Sequence, residues 1–234
     1  MKAIYLREMR AYFTTPIGYI YLFVYFLLSG AAFSYTTLYS MSGDSSAYFL
    51  LMLAAHTVLL PLLTMKSFSE EKKQRTEQLL LTAPVPLTSI VLGKFLAAYT
   101  VFTASAVISV LPFALLYRYT VMKTAVLFGS LLAILLVGMA FIAIGIFISS
   151  VTENQLAAAV GTIGILLFFM LISFLNNVIP FYWLRFILSG ISIYARFLNF
   201  TNGIFDVASL IYYLSISAVF LFLTVRVFAT RRRV

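Results

Sequence analysis

The sequence predicts an all-α membrane protein with six transmembrane helices. Of the 234 residues, 63% are hydrophobic and only 10% are charged, whereas soluble domains carry about 25% charged residues. The mean hydropathy is +1.05. Six apolar runs approach the ~20 residues that a helix needs to cross a bilayer. They do not alternate polar and apolar residues as the strands of a membrane barrel would.

The whole chain, 1–234, reads as a single transmembrane domain. The predicted spans cover residues 17–40, 48–64, 95–117, 123–150, 156–176 and 207–229. The first run contains Ser29-Gly30-Ala31, which faintly resembles a signal-peptide cleavage site. Because the run is longer than a signal peptide's apolar region, we interpret it as an uncleaved first span.

Basic residues predict the orientation of the chain. Placing the amino terminus in the cytoplasm assigns 12 of the 16 Lys and Arg residues to the inner side and 4 to the outer side, as the positive-inside rule requires. The inner residues are Lys2, Arg7, Arg10, Lys66, Lys72, Lys73, Arg75, Lys94, Arg226, Arg231, Arg232 and Arg233; the outer ones are Arg118, Lys123, Arg185 and Arg196. Both termini are therefore expected to be cytoplasmic. The formal charge of +9 then suits anionic lipid headgroups and needs no nucleic acid to explain it.

Motifs for catalysis and nucleotide binding are missing from the sequence. The chain has no cysteine, which excludes disulfides and thiolate chemistry. Gly93-Lys94 is followed by Phe95 and lacks both the upstream glycine and the Ser/Thr of a phosphate-binding loop. HExxH and GxSxG motifs are also absent. We therefore expect no enzyme activity and no cofactor in this chain.

Residues 1–15 mix apolar and aromatic side chains with Arg7, Glu8 and Arg10. This composition favours a helix lying in the membrane interface. The alternative is a plain extension of the first span, broken at Pro16.

His56 is the only histidine of the chain and lies in the second predicted span. An ionisable group at membrane depth suggests a proton relay or a substrate contact in the pathway. Since no acid or base in any predicted span could partner it, a neutral imidazole bonded to a neighbouring helix is the other interpretation.

Residues 66–94 form the longest polar segment between spans, with Glu70, Glu71 and Glu77 among its charges. The spacing of apolar residues predicts an amphipathic helix from Phe68 to Thr82, with Ser69 as its N-cap and Pro84 as its stop. The segment could be an ordinary solvated loop. Three successive leucines, residues 79–81, favour instead a docking helix covered by a partner or the membrane.

The string FSEEKKQRTEQLLLTAPVPLTSIVLGKF resembles the segment after the second span of ABC-2 type permeases. The likeness is nearest to the subgroup of the gliding-motility and nitrous-oxide-reductase-maturation permeases. In that family this segment is the coupling helix, which sits in a groove of a separate ATPase subunit. The resemblance implies ATPase contacts at Glu70, Glu71, Arg75, Thr76 and Glu77. Gln74-Arg75 stands where the family commonly has a glycine before the Thr-Glu pair.

Three other stretches resemble the same subgroup: REMRAYFTTPIGYIY, the SSVTENQ run, and RFLNFTNGIFDVASLIYYLS. The first implies an elbow helix on the cytoplasmic leaflet, packed beside the coupling helix. In the SSVTENQ run, Thr152 is predicted to cap the fifth span. Residues 177–206, rich in aromatics, predict one or two short outer helices in the interface. Within them Asn202-Gly203 predicts a turn, and Asp206 is the expected cap of the sixth span.

Small residues four apart predict close helix packing, either within one subunit or across a dimer. The pairs are Gly129/Ala133, Gly145/Ser149 and Ala157/Gly161.

The resemblance implies a fold like that of type V ABC exporters and the permease subunit of an exporter in a bacterial cytoplasmic membrane. It also implies two ATPase subunits that bind the ATP and Mg²⁺, and a second permease half, identical or a close paralogue. The alternatives are an ATP-independent carrier or channel and a non-transporting scaffold or signalling subunit. The sequence does not identify the cargo.

Overall fold

The computed structural model describes residues 1–41, 43–76, 78, 85–116, 118–119, 124–178, 183, 190 and 192–232, and only the backbone of 174–178. Within these ranges the chain is helical, with no strand. The helices are α1 (Lys2–Thr14), α2 (Pro16–Phe33, continued by a π-helical stretch Ser34–Tyr39), α3 (Ser46–Thr64), α4 (Lys66–Lys73), α5 (Leu87–Ile108), α6 (Leu111–Leu116), α7 (Thr124–Val151), α8 (Gln155–Val178), α9 (Ile193–Thr201) and α10 (Val207–Arg231).

Six helices are long and apolar enough to cross a bilayer, which confirms the predicted fold class. They are α2, α3, α5, α7, α8 and α10. Helices α7 and α3 are the most buried, and α2 and α10 expose most of their length. The bundle is therefore built around α7, whose neighbours include α3, α5, α8 and α10.

Two glycines of α7 allow this close packing. A Cβ at Gly138 would lie 2.1 Å from the ring of Phe102 on α5, and a Cβ at Gly145 would lie 2.2 Å from Oγ1 of Thr64 on α3. Only a residue without a side chain fits either position. Gly145 and Ser149 thus serve packing within one subunit, one of the two roles that their spacing predicted.

The break between α1 and α2 falls at Thr15. Its backbone is extended, with φ −100° and ψ 154°, and Pro16 opens α2, as expected for a residue before proline and for proline at the first helical position. Helix α1 then packs back on the bundle: the Tyr12 hydroxyl donates to the carbonyl of Leu63 and the Tyr5 hydroxyl to Oγ1 of Thr100. Helix α1, called the elbow below, is thus a separate helix and not an extension of the first span.

Several predicted helix ends are corrected by the structure. Helix α5 begins at Leu87, eight residues before the predicted start of the third span, so Lys94 lies inside a spanning helix and not in a loop. Ser69 is not an N-cap, because α4 begins at Lys66, directly after α3. The side chain that accepts at the start of α8 belongs to Asn154, which binds the amide of Leu156. Thr152 instead donates to the carbonyl of Ile148.

The end of the bundle opposite α1 includes α9, a helix within the predicted outer segment 177–206. Ser192 caps α9 at its N-terminus. Phe197 and Phe200 are fully buried, so these two rings pack inside the protein and not in a membrane interface as predicted. Gly203 has φ 77°, in agreement with the predicted turn. Asp206 caps α10 as expected, and the hydrogen bond from Ser209 holds the pKa of Asp206 below its ordinary value. Phe181, Tyr182, Lys123 and Arg185 lie outside the described residues.

Candidate functional site

The elbow α1, the polar helix α4, the start of α5 and the end of α10 meet at one end of the bundle. Two ring contacts show how closely they pack. The Phe68 ring on α4 lies 4.6 Å from the Phe228 ring on α10, and Lys94 Nζ lies 4.9 Å from the centroid of Phe68. The stretch that includes α1 and the stretch that includes α4, both of which resemble the same family, are adjacent in the fold, since Arg7 pairs with Glu71.

Lys94 lies at the centre of this end, with only 2% of its side chain exposed. Its ammonium group donates to Oε1 of Glu8 at 3.1 Å, to Oε1 of Glu71 at 2.9 Å and to the carbonyl of Ser67 at 2.6 Å. An ammonium group has three N–H donors, and all three are satisfied here. A buried cation is tolerated only with such partners.

Arg7 completes an ion-pair cluster of four side chains: Arg7, Glu8, Glu71 and Lys94. Arg7 Nη2 lies 2.6 Å from Oε1 of Glu8 and 2.9 Å from Oε1 of Glu71. Each carboxylate therefore accepts from both cations, and the charges of the cluster cancel. Partial burial lowers the pKa of Arg7, but the bonds to Glu8 and Glu71 outweigh it and hold the pKa above its ordinary value.

The cluster joins three elements that are distant in sequence. Arg7 and Glu8 come from α1, Glu71 from α4 and Lys94 from α5. Tyr12 adds a neutral contact on the same elbow: burial, together with the nearby Glu8 charge, raises the pKa of Tyr12, so its hydroxyl stays protonated and donates to Leu63. The cluster therefore connects α4 directly to α1 and α5.

Helix α4 is also fixed to the central helix α7. Ser149 Oγ accepts from the amides of Phe68 and Ser69 at 3.0 and 3.1 Å and donates to the carbonyl of Met65 at 3.0 Å. Lys72 Nζ donates to the carbonyl of Val151 at 3.1 Å. One hydroxyl of α7 thus binds both sides of the junction between α3 and α4.

The last turn of α4 closes with a Schellman motif. The amide of Thr76 binds the carbonyl of Glu71 at 2.9 Å and the amide of Arg75 binds that of Lys72 at 3.0 Å, the two bonds that define the motif. Arg75 has φ 57°, a conformation that glycine adopts without cost. This is the place where the family commonly has a glycine, so the backbone shape fits the resemblance although the residue differs.

A pocket of about 430 Å³ opens beside the cluster, between α1 and α4. Its lining carries three cations, Arg7, Lys66 and Lys94, and three anions, Glu8, Glu70 and Glu71. Oε2 of Glu71 is buried and has no hydrogen-bond partner among the described residues.

The predicted ATPase contacts separate into two groups. Glu70 is partly exposed and pairs with Lys66 at 3.6 Å, and Arg75 is exposed. Glu71 instead faces inward to Lys94 and Arg7. Thr76 is half-buried, and Glu77, Leu79, Leu80 and Pro84 lie outside the described residues. Among the elbow residues Arg7 and Glu8 join the cluster, whereas Arg10 is exposed.

His56 lies away from this end, buried between the rings of Tyr25 and Phe102 at 5.6 and 5.2 Å. Its Nδ1 bonds to the carbonyl of Met52, one turn earlier in the same helix. The prediction of a bond to a neighbouring helix is therefore wrong. Nε2 has no partner among the described residues.

Sequence reasoning missed Lys94 and Ser149. The sequence patterns place Lys94 only among the basic residues of the inner side and in the remnant of a phosphate-binding loop, and the predicted third span starts one residue after the lysine. An ionisable residue within an apolar helix marks a functional position by default. Extending the span back to Leu87 would have identified Lys94.

The fold and this end define a class: a polytopic helical membrane protein whose α1 and short polar helix α4 are joined to a span through the buried Lys94. The profile of the ABC-2 family transporter proteins matches residues 34–228, more than half of the chain. The chain belongs to this family and is a multi-pass permease of an ABC transporter. No match was found among curated proteins.

Proposed function

We propose that the chain is the permease half of an ATP-driven exporter, moved by a separate ATPase subunit that docks on α4 beside α1. The observation that carries the proposal is the ion-pair cluster, since it links the polar helix α4 to the elbow α1 and to one span, α5. Moving a two-state equilibrium from 1:99 to 99:1 needs about 5.5 kcal/mol of differential binding. ATP binding to the partner could supply it.

The docking surface in this proposal is the exposed side of α4 and its closing turn: Glu70, Arg75, Thr76 and, following them in the chain, Glu77. Glu71 acts as the internal connection to Lys94. This modifies the contact set that the resemblance implied, because a carboxylate engaged with two cations is costly to withdraw.

The basic end of the bundle is the cytoplasmic one in this proposal, which places both termini there, as the positive-inside rule favours. Two such halves, identical or paralogous, would pair through the exposed apolar faces of the outer spans and receive one ATPase each. The proposal also assigns the chain to a bacterial cytoplasmic membrane and to the subgroup of the gliding-motility and nitrous-oxide-reductase-maturation permeases.

The test is co-purification of the tagged chain with the ATPase encoded nearest to it. A variant carrying Glu70→Lys and Arg75→Glu reverses one charge of α4 and one of its closing turn without changing a residue of the cluster. We expect this variant to co-purify with at least tenfold less ATPase than the unchanged chain does, which corresponds to a loss of about 1.4 kcal/mol in binding free energy. Glu153→Lys, an exposed acid outside α4, is the matched control and should retain the ATPase.

Two results would contradict the proposal. One is equal ATPase retention in the α4 variant and the control. The other is solute flux through the purified, reconstituted chain with no nucleotide-hydrolysing subunit bound, which would support the carrier or channel.

A further inference from the structure

The charged pocket between α1 and α4 adjoins the proposed docking surface of the ATPase. Glu70 and Thr76 belong to both, because they line the pocket and also lie on α4 and its closing turn. The wall that α1 contributes includes Ala11 and Thr15, which are exposed. A protein that binds this side of α4 therefore lies next to the pocket.

The six charged residues of the pocket lining differ in how much of each side chain a ligand can reach. Three of them bond inside the cluster and keep little exposure: Lys94 with 2%, Glu8 with 15% and Glu71 with 19%. The other three are more exposed: Arg7 with 51%, Glu70 with 35% and Lys66 with 32%. The reachable charges are therefore two cations and one anion, although the lining as a whole is neutral.

The two reachable cations also hold unused hydrogen-bond donors. Arg7 bonds within the cluster through Nε and Nη2, so the two N–H groups of Nη1 have no partner among the described residues. Lys66 Nζ lies 3.6 Å from Oε2 of Glu70, which is beyond hydrogen-bond distance. The reachable anion is already in use, because Oε1 of Glu70 accepts from Gln74 at 3.2 Å. The pocket thus lacks an acceptor, and an ionised carboxylate is a group that only accepts.

We infer that this pocket binds an acidic side chain, aspartate or glutamate, of the ATPase subunit. The carboxylate accepts from Arg7 Nη1 and from Lys66, and such charge-assisted bonds are stronger than neutral ones. The inference rests on the proposed function and adds a contact to it, since the ATPase then holds α1 through Arg7 as well as α4. A lipid phosphate is also an acceptor, but the residues that the pocket shares with the docking surface favour the protein.

A single thiol in the pocket measures its charge without the ATPase. The chain has no cysteine, so Ala11→Cys provides a unique thiol at an exposed residue of the lining. Its reaction rates with two methanethiosulfonates, one carrying a sulfonate and one a trimethylammonium group, report the local potential as a ratio. We expect Lys66→Gln to lower the anionic-to-cationic ratio about threefold at about 0.15 M salt. The matched control is Lys73→Gln, which changes an exposed lysine of α4 outside the pocket and should leave the ratio as it is. Equal ratios in the two variants would overturn the inference.

The same thiol identifies what fills the pocket. In the complex with the ATPase, we expect the thiol at position 11 to react with an uncharged maleimide at least tenfold more slowly than in the chain alone. Lys66→Gln should also co-purify with less ATPase than Lys73→Gln does, because only the first lysine faces the pocket. A thiol that stays fully reactive in the complex, or equal ATPase retention in the two lysine variants, would overturn the inference.

A lipid arm separates the carboxylate from a phosphate. The ATPase-free chain with Ala11→Cys is placed in nanodiscs of phosphatidylcholine with and without phosphatidylglycerol, and we expect the same maleimide rate in both. Protection by phosphatidylglycerol alone would assign the pocket to a lipid phosphate and overturn the inference. If the unchanged chain binds no ATPase, the proposed function and the inference fail together. If it binds the ATPase and the thiol stays reactive, only the inference fails.

Discussion

Arg75 is one of two described non-glycine residues with a positive φ. A non-glycine residue with φ 57° is held there by the Schellman bonds of α4. For an L-residue this region costs about 1 kcal/mol. The sequence could not reveal the turn, because the glycine that normally marks it is missing.

Arg75→Gly should therefore stabilise the end of α4. We expect the free energy of unfolding to rise by up to about 1 kcal/mol, since glycine adopts this conformation freely. Thermal unfolding in detergent measures the change. Arg75→Ala, which removes the guanidinium but keeps the Cβ, is the control and should gain nothing. A stability loss in the glycine variant that the alanine variant does not show would contradict the assignment of the turn.

Lys94 offers the second prediction at this scale. Lys94→Met removes the buried cation of the cluster and leaves Glu8 and Glu71 with Arg7 as the one cation that they share; breaking a buried pair typically costs about 3 to 5 kcal/mol. Lys66→Met removes a more exposed lysine with a single pair at 3.6 Å, worth about 1 kcal/mol or less. The free energy of unfolding, measured for both variants under the same conditions, should be clearly lower for Lys94→Met than for Lys66→Met. Equal stability would mean that the cluster does not hold this end together.

Among the elements, the spans were predictable and their ends were not. Six runs of about twenty apolar residues suffice to count the spans, because lipid requires that length whatever packs around the helix. The predicted start of α5 is wrong because a charged residue, Lys94, normally indicates a position outside the membrane. The partners of Lys94 come from α1, 86 residues away, and from α4, 23 residues away, and no local sequence pattern predicts them.

The same reasoning explains which site residues were found. Glu71, Arg7 and Glu8 were identified through family likeness, but as contacts or elbow residues and not as members of one cluster. Ser149 was noticed only as a small residue in a packing pair. Its role depends on the two amides of α4 that bind its hydroxyl, and these lie 81 and 80 residues away in the sequence.

Ser149→Ala is the element-scale prediction. It removes the acceptor of the Phe68 and Ser69 amides, so the bond from Lys72 to the carbonyl of Val151 is the one described hydrogen bond that still joins α4 to α7. Leaving buried donors unsatisfied costs about 1 to 3 kcal/mol. Hydrogen exchange should show faster exchange across Lys66–Lys73 in this variant.

Ser150→Ala is its matched control, because Ser150 is equally buried and its hydroxyl binds only the carbonyl of Phe147 in its own helix. We expect α4 to exchange in this variant as it does in the unchanged protein. If the amides of α4 exchange at the same rate in both variants, Ser149 is not the residue that holds α4 against the central helix α7.

In the whole molecule, the elbow, α4 and the start of α5 form one mechanical unit. The ion-pair cluster joins all three, and Tyr5 and Tyr12 add hydrogen bonds from α1 to α5 and α3. A unit held by buried charge pairs is expected to move as a body, with the adjustment to a partner's motion taken up elsewhere in the bundle. The exposed outer spans, which have fewer contacts within the subunit, are the places where that adjustment is least costly.

A covalent link inside this unit tests the idea, and the absence of cysteine from the chain makes it specific. A Cβ at Gly93 on α5 would lie 3.1 Å from the Cβ of Ile4 on α1, so a shift of a few tenths of an ångström brings Ile4→Cys and Gly93→Cys to disulfide distance. Oxidation should raise the unfolding temperature. In the complex with its ATPase, it should leave nucleotide hydrolysis within twofold of the reduced form, because these two helices do not move against each other. Inhibition that a reductant reverses would show the opposite, namely that α1 must slide along α5 in each cycle and that the cluster breaks and reforms as the permease works.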